Sequence, residues 1–131
     1  MLAEFLQYLK NLITNTDISD ADLYMGKLPN KDEKNIGLYP TEGGQRIEAF
    51  GGESTYTYVP FKLLVHWNCS SKDTEKAASV LYDLVEGVKN ATTETYYIAF
   101  ILMDYENPMF IGTDENGVFE YVINGRIYFG R

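Results

Sequence analysis

Residues 56–67, Tyr-Thr-Tyr-Val-Pro-Phe-Lys-Leu-Leu-Val-His-Trp, constrain the fold more than any other stretch. Thr57, Val59, Phe61, Leu63, Val65 and Trp67 share one parity and are almost wholly apolar. Tyr56, Tyr58, Pro60, Lys62, Leu64 and His66 share the other. A period of two marks a strand with its first set turned to a core. Pro60 has no N–H to give, so it predicts an edge position or a bulge.

The stretch runs through Asn68-Cys69-Ser70-Ser71 into the best helix pattern in the chain. Ser70 or Ser71 caps that helix, Asp73 and Glu75 suit its positive end, and it runs to about Lys89. Ala77, Leu81, Leu84, Val85 and Val88 form its buried stripe. A second helix is predicted over residues 2–15, where Leu2, Phe5, Leu6, Leu9, Leu12 and Ile13 make one apolar stripe.

Short strands are expected at residues 22–28 and 35–39. Thr41 to Thr55 holds Gly43, Gly44, Gly51 and Gly52 and few large apolar residues, which predicts a long mobile loop. Its glycines match no phosphate-binding pattern. Residues 95–103 are apolar on both parities, as a strand covered on two faces would be. Residues 109–112 and 118–123 read as strands about a tight turn at Asn116-Gly117. A second turn is expected at Asn124-Gly125, before a last strand at 126–129. The order predicts an α+β fold over residues 1–131 as one domain. It is a mainly antiparallel sheet with two helices packed on one face and a long glycine-bearing loop.

Composition excludes several functions. A net charge of −8 argues against a sequence-independent grip on nucleic acid. One cysteine, Cys69, allows no intrachain disulfide, and beside Trp67 it reads as a small buried hydrophobe. No basic leader pattern and no apolar run of membrane-spanning length stands in the chain, so synthesis and assembly in a cytoplasm are expected. Eleven tyrosines are many for 131 residues, and suit either a strand-rich surface or a protein interface.

Chemistry finds little foothold. His66 is the one histidine, so a usual zinc site is out. It is expected at a surface or interface, with no partner identified to orient it for catalysis. Asp114-x-Asn116-Gly117 lacks the remaining ligands of a calcium loop and reads as a turn. No catalytic residue, metal or cofactor is expected.

Taken as an ordered series, the pieces resemble the tail terminators of long-tailed bacteriophages, also called minor capsid proteins. The resemblance rests on the helix from Phe5 to Leu12, the strand Ile36–Pro40 and its glycine loop. It continues through the strand Phe61–Trp67, the helix with Glu75, Ala77 and Leu81, the segment Pro108–Gly117 and the ending Phe119–Asn124. It implies a non-enzymatic part of the virion: a ring, commonly a hexamer, that caps the tail tube, ends its growth and offers a surface to the head connector. The implied partners are further copies of the chain, the tail-tube protein and a head connector or stopper. DNA would pass through without specific binding, and no membrane is involved.

No residue motif accompanies the resemblance, so contact residues are chosen for expected exposure. These are Lys31, Lys34, Glu42, Arg46, Glu53, Tyr56, Tyr58, Lys62, His66, Tyr105 and Glu106. The competing reading is a small ligand-binding or hydrolytic α+β domain. Its tyrosine-lined pocket would lie under the glycine loop, with His66 and Asp73 as its working residues.

Overall fold

The computed structural model describes residues 1–26, 33–41, 46–48 and 55–130. Helix α1 (Leu2–Leu12) is followed by strands β1 (Asp22–Met25), β2 (Asn35–Pro40), β3 (Arg46–Glu48) and β4 (Thr55–His66). Helix α2 (Ser71–Glu86) leads into β5 (Lys89–Thr92), β6 (Tyr97–Met103), β7 (Met109–Thr113) and β8 (Phe119–Gly130). The architecture is α+β.

The two 12-residue strands β4 and β8 form a spine. They pair antiparallel from Thr57↔Phe129 to His66↔Glu120. Each outer flank of the spine is shared by two short strands in tandem. On β4, β2 takes the part from Phe61 to His66 and β3 the part from Thr55 to Thr57. On β8, β6 takes Gly125 to Gly130 and β7 takes Phe119 to Val122. β1 then extends β2 in parallel, and β5 extends β6 antiparallel. Among the described residues, one end of the sheet therefore reads β1-β2-β4-β8-β7 and the other β3-β4-β8-β6-β5.

Both flanks change strand at one level. β2 stops at Pro40 opposite Phe61, and β6 stops at Met103 opposite Gly125, while Phe61 and Gly125 pair with each other. Pro60 sits beside this level, between the pairing of β2 and that of β3. There its missing N–H breaks no ladder among the described residues, so it fits within a central strand.

One face of the sheet holds the core. Phe61, Leu63 and Val65 of β4 and Ile123 and Ile127 of β8 are buried with Phe5 and Leu9 of α1 and Ala77, Ala78, Leu81 and Val85 of α2. The Phe5 and Phe61 rings lie 5.6 Å apart. At the start of α2, the Ser70 hydroxyl accepts from the Asp73 amide at 3.2 Å. That bond satisfies one of the open donors of the first turn.

Several expectations are corrected. Asn124-Gly125 is no turn, because β8 runs straight through it. Gly125 is small there so that the Phe61 ring can lie against the backbone. The helix expected to reach Lys89 ends at Glu86, and Lys89–Thr92 forms the edge strand β5. Helix α1 stops at Leu12, three residues early. The stretch expected as one loop contains β3, held by pairing with β4; its remaining residues 42–45 and 49–54 lie outside those described. β6 is covered on one face only, with Phe100 and Leu102 exposed. Cys69 is exposed rather than buried. His66 is buried rather than superficial.

Candidate assembly surface

The strand parity that fills the core leaves a second face that neither helix covers. On it, the registers of β4, β8 and β6 align Tyr58, Tyr128 and Phe100 across three strands. Tyr58 and Tyr128 stand 5.3 Å apart, and Phe100 stacks on Tyr128 at 4.7 Å. The Arg126 guanidinium lies 5.8 Å from the Tyr58 ring and 6.0 Å from the Tyr128 ring. Its Nε is 3.4 Å from Asp104 Oδ1, so the carboxylate fixes the cation over the rings. Leu102 flanks Arg126 and is exposed. Lower down, Lys62 sits 5.3 Å from the Tyr39 ring.

The same face ends in a polar cluster. His66 Nδ1 is 3.0 Å from Glu120 Oε2, and Nε2 is 3.5 Å from Asp114 Oδ2. Asp114 also closes the β7–β8 turn by accepting from the amides of Asn116 at 2.8 Å and Val118 at 3.0 Å. The Val118 amide is the main reason its carboxyl sits below the usual aspartate range, with Asn116 and His66 adding to the effect. Two carboxylates face the imidazole, and among the described residues no nucleophile stands at either nitrogen. The arrangement orients a histidine within a scaffold and does not activate an attacking group.

A family description, bacteriophage tail terminator protein, matches residues 5–128. The chain belongs to this family. A chain in the structure "Virion of native gene transfer agent (GTA) particle" has the same fold, with a TM-score of 0.61 at 8% identity. The match covers 96% of this chain and 92% of that one. No match to the curated proteins was found. The tail terminator is a structural protein of the phage tail and belongs to the virion. None of its described helices is long and apolar enough to cross a membrane.

The structure brings Tyr58, Lys62 and His66 of the tail terminator onto one face, with His66 sunk between carboxylates at 7% exposure. Tyr105 and Glu106 are exposed in the turn after β6, where the Tyr82 hydroxyl donates to the Tyr105 carbonyl. Burial raises the Tyr82 hydroxyl pKa. Lys34 lies apart, paired with Asp20 at 2.8 Å and 5.8 Å from the Trp67 ring. Arg46 and Tyr56 are placed by backbone only, in β3 and β4. Lys31, Glu42 and Glu53 lie outside the described residues.

The pocket reading gains nothing from this placement. Asp73 lines a hollow of about 180 Å³ with Asp17, Lys34, Trp67 and Lys76, and His66 is not among its walls. Sequence reasoning missed Phe100, Leu102, Arg126 and Tyr128. The signal was the apolar run 95–103, read as a strand buried on both sides. A register shift between Ile98 and Phe100 breaks its parity, so Ile98 and Ile101 are buried while Phe100 and Leu102 face outward, beside the aromatic rows of β4 and β8.

Proposed function

We propose that this tail terminator assembles into a ring, a hexamer, that caps the tail tube, stops addition of tube subunits and presents a joining surface to the head connector or stopper. The observation that carries this reading is the sheet face that neither helix covers, where exposed Phe100 and Leu102 and half-buried Tyr58 and Arg126 surround the buried Tyr128 ring. Tyrosine, phenylalanine and arginine are the residues that protein interfaces concentrate. A closed head-to-tail ring needs two different patches on each subunit, and this face together with the exposed Tyr105–Glu106 turn offers surface for more than one partner. The net charge of −8 suits a channel through which DNA slides without being held. We take Tyr58, Lys62, Tyr105 and Glu106 as the first contact residues to test, followed by Lys31, Lys34, Glu42, Arg46, Glu53, Tyr56 and His66.

The test is the mass of the purified chain, alone and mixed with its tail-tube protein. Light scattering and negative-stain imaging should show rings of several subunits, bound at a tube end in the mixture. A monomer at every concentration, with and without tube protein, would sink the proposal.

A further inference from the structure

A ring needs subunits to join side to side, and the two edges of the lower half-sheet are suited to it. That half reads β1-β2-β4-β8-β7, and among the described residues nothing pairs with the outer edge of β1 or of β7. The other described outer edges are β3, only three residues long, and β5, which carries Lys89, Asn90 and Thr92, the polar residues that discourage edge pairing. By contrast, β7 exposes Met109, Phe110 and Ile111 in succession, at 37%, 54% and 52%. Its five residues include no charge.

Direction decides how two such edges can meet. β1 runs parallel to β2, β2 antiparallel to β4, β4 antiparallel to β8, and β8 antiparallel to β7. β1 and β7 therefore point in opposite senses at opposite ends of one sheet. Rotation about an axis along the strands keeps these senses from copy to copy. A β7 from one copy laid against β1 of the next then forms an antiparallel pair, the arrangement that already dominates this sheet. The lengths agree, with four residues in β1 and five in β7.

The β1 edge also has room to receive a side chain. The amides of Asp22 and Gly26 donate inward, to the carbonyls of Lys34 and Leu38. Strand alternation then directs the backbone groups of Leu23 and Met25 to the open side. Beside them, a hollow of about 230 Å³ is walled by Lys10 and Ile13 at the end of α1 and by Ser19, Ala21, Leu23 and Tyr24. Phe110 pairs with Tyr121, on the helix-bearing parity of β8, so in the joined sheet its ring falls on the side where this hollow lies.

We propose that β7 of one copy adds to β1 of the next, with Phe110 seated in the hollow at the end of α1, so that the sheet runs continuously around the ring. This rests on the ring reading above. Hydrogen exchange on the full chain, as free subunit and as ring on its tube protein, tests it without mutation. The Leu23 and Met25 amides should slow about tenfold or more in the ring. Independently, Phe110→Asp should remain a single subunit at concentrations where the wild type forms rings, while still unfolding cooperatively at a midpoint lowered only modestly by the loss of its ring contacts with Phe119 and Tyr121. Rings whose Leu23 and Met25 amides exchange at the free-subunit rate, or a Phe110→Asp chain that still assembles, would overturn the edge contact and leave the ring standing. A wild type that never assembles would remove both.

Discussion

The Phe61 ring fills the space that a side chain on Gly125 would need. A Cβ built on Gly125 stands 2.9 Å from Phe61 Cζ and 2.9 Å from the Leu102 carbonyl oxygen. The ring could turn aside, but the carbonyl belongs to the neighbouring β6 backbone and cannot move alone. Gly125→Ala should therefore destabilise the fold by about 1–3 kcal/mol, the usual cost of overpacking. Urea denaturation measures it, and an unchanged midpoint would contradict this packing.

The caps and outer surface should behave differently. Ser70→Ala removes the acceptor for the Asp73 amide and should cost about 1 kcal/mol. Ser71→Ala, one residue on and exposed, should stay within about 0.5 kcal/mol of the wild type. Comparing the two unfolding curves checks which serine caps α2.

His66 should prove structural. His66→Leu leaves the partly buried Glu120 carboxylate without its imidazole partner, a loss of about 1–3 kcal/mol. Adding Glu120→Leu should restore part of it, because both ends of the buried polar pair are then gone. A double-mutant cycle by chemical denaturation reads the coupling.

The Asp114 carboxyl titrates below the usual aspartate range in the folded chain, held there chiefly by the Val118 amide. A depressed folded pKa adds stability above the unfolded value, and that stability is lost as pH falls through the folded one. Wild type should exceed Asp114→Asn in unfolding midpoint at neutral pH. The gap should narrow as pH drops below about 3.8. A gap constant down to the acid limit would show that the turn does not depend on the charge.

Phe100→Ser should barely change stability, since the ring is exposed and contributes mainly its stack on Tyr128, worth about 0.5–1.5 kcal/mol. It should weaken assembly with tail proteins, as read by co-sedimentation with tube protein. Full assembly by this variant would move the contact surface elsewhere.

Much of this was legible from local pattern. The parity of residues 57–67 named the core side of β4, and Ser70 with Asp73 marked the start of α2, because both signals are short-range. Asn116-Gly117 likewise announced its own turn, with Gly117 at φ 80°. Asn124-Gly125 carried the same letters and meant something else. What decided it was Phe61, 64 positions away, and only pairing in space could show that. The short strand β5 has almost no apolar residues to announce it and exists because β6 offers an edge. His66 looked superficial because its strand parity is the outward one. Glu120 stands opposite it on β8, and the β7–β8 turn brings Asp114 to its other nitrogen.

The level at which both flanks change strand has a further consequence. β2 hands over to β3 and β6 hands over to β7 on either side of the Phe61–Gly125 pair. Either connection can lengthen or shorten without interrupting a ladder of the spine. The molecule is thus a fixed central beam carrying two separately adjustable ends, and descendants of one ancestor could refit one end to a new neighbour while the other kept its old grip.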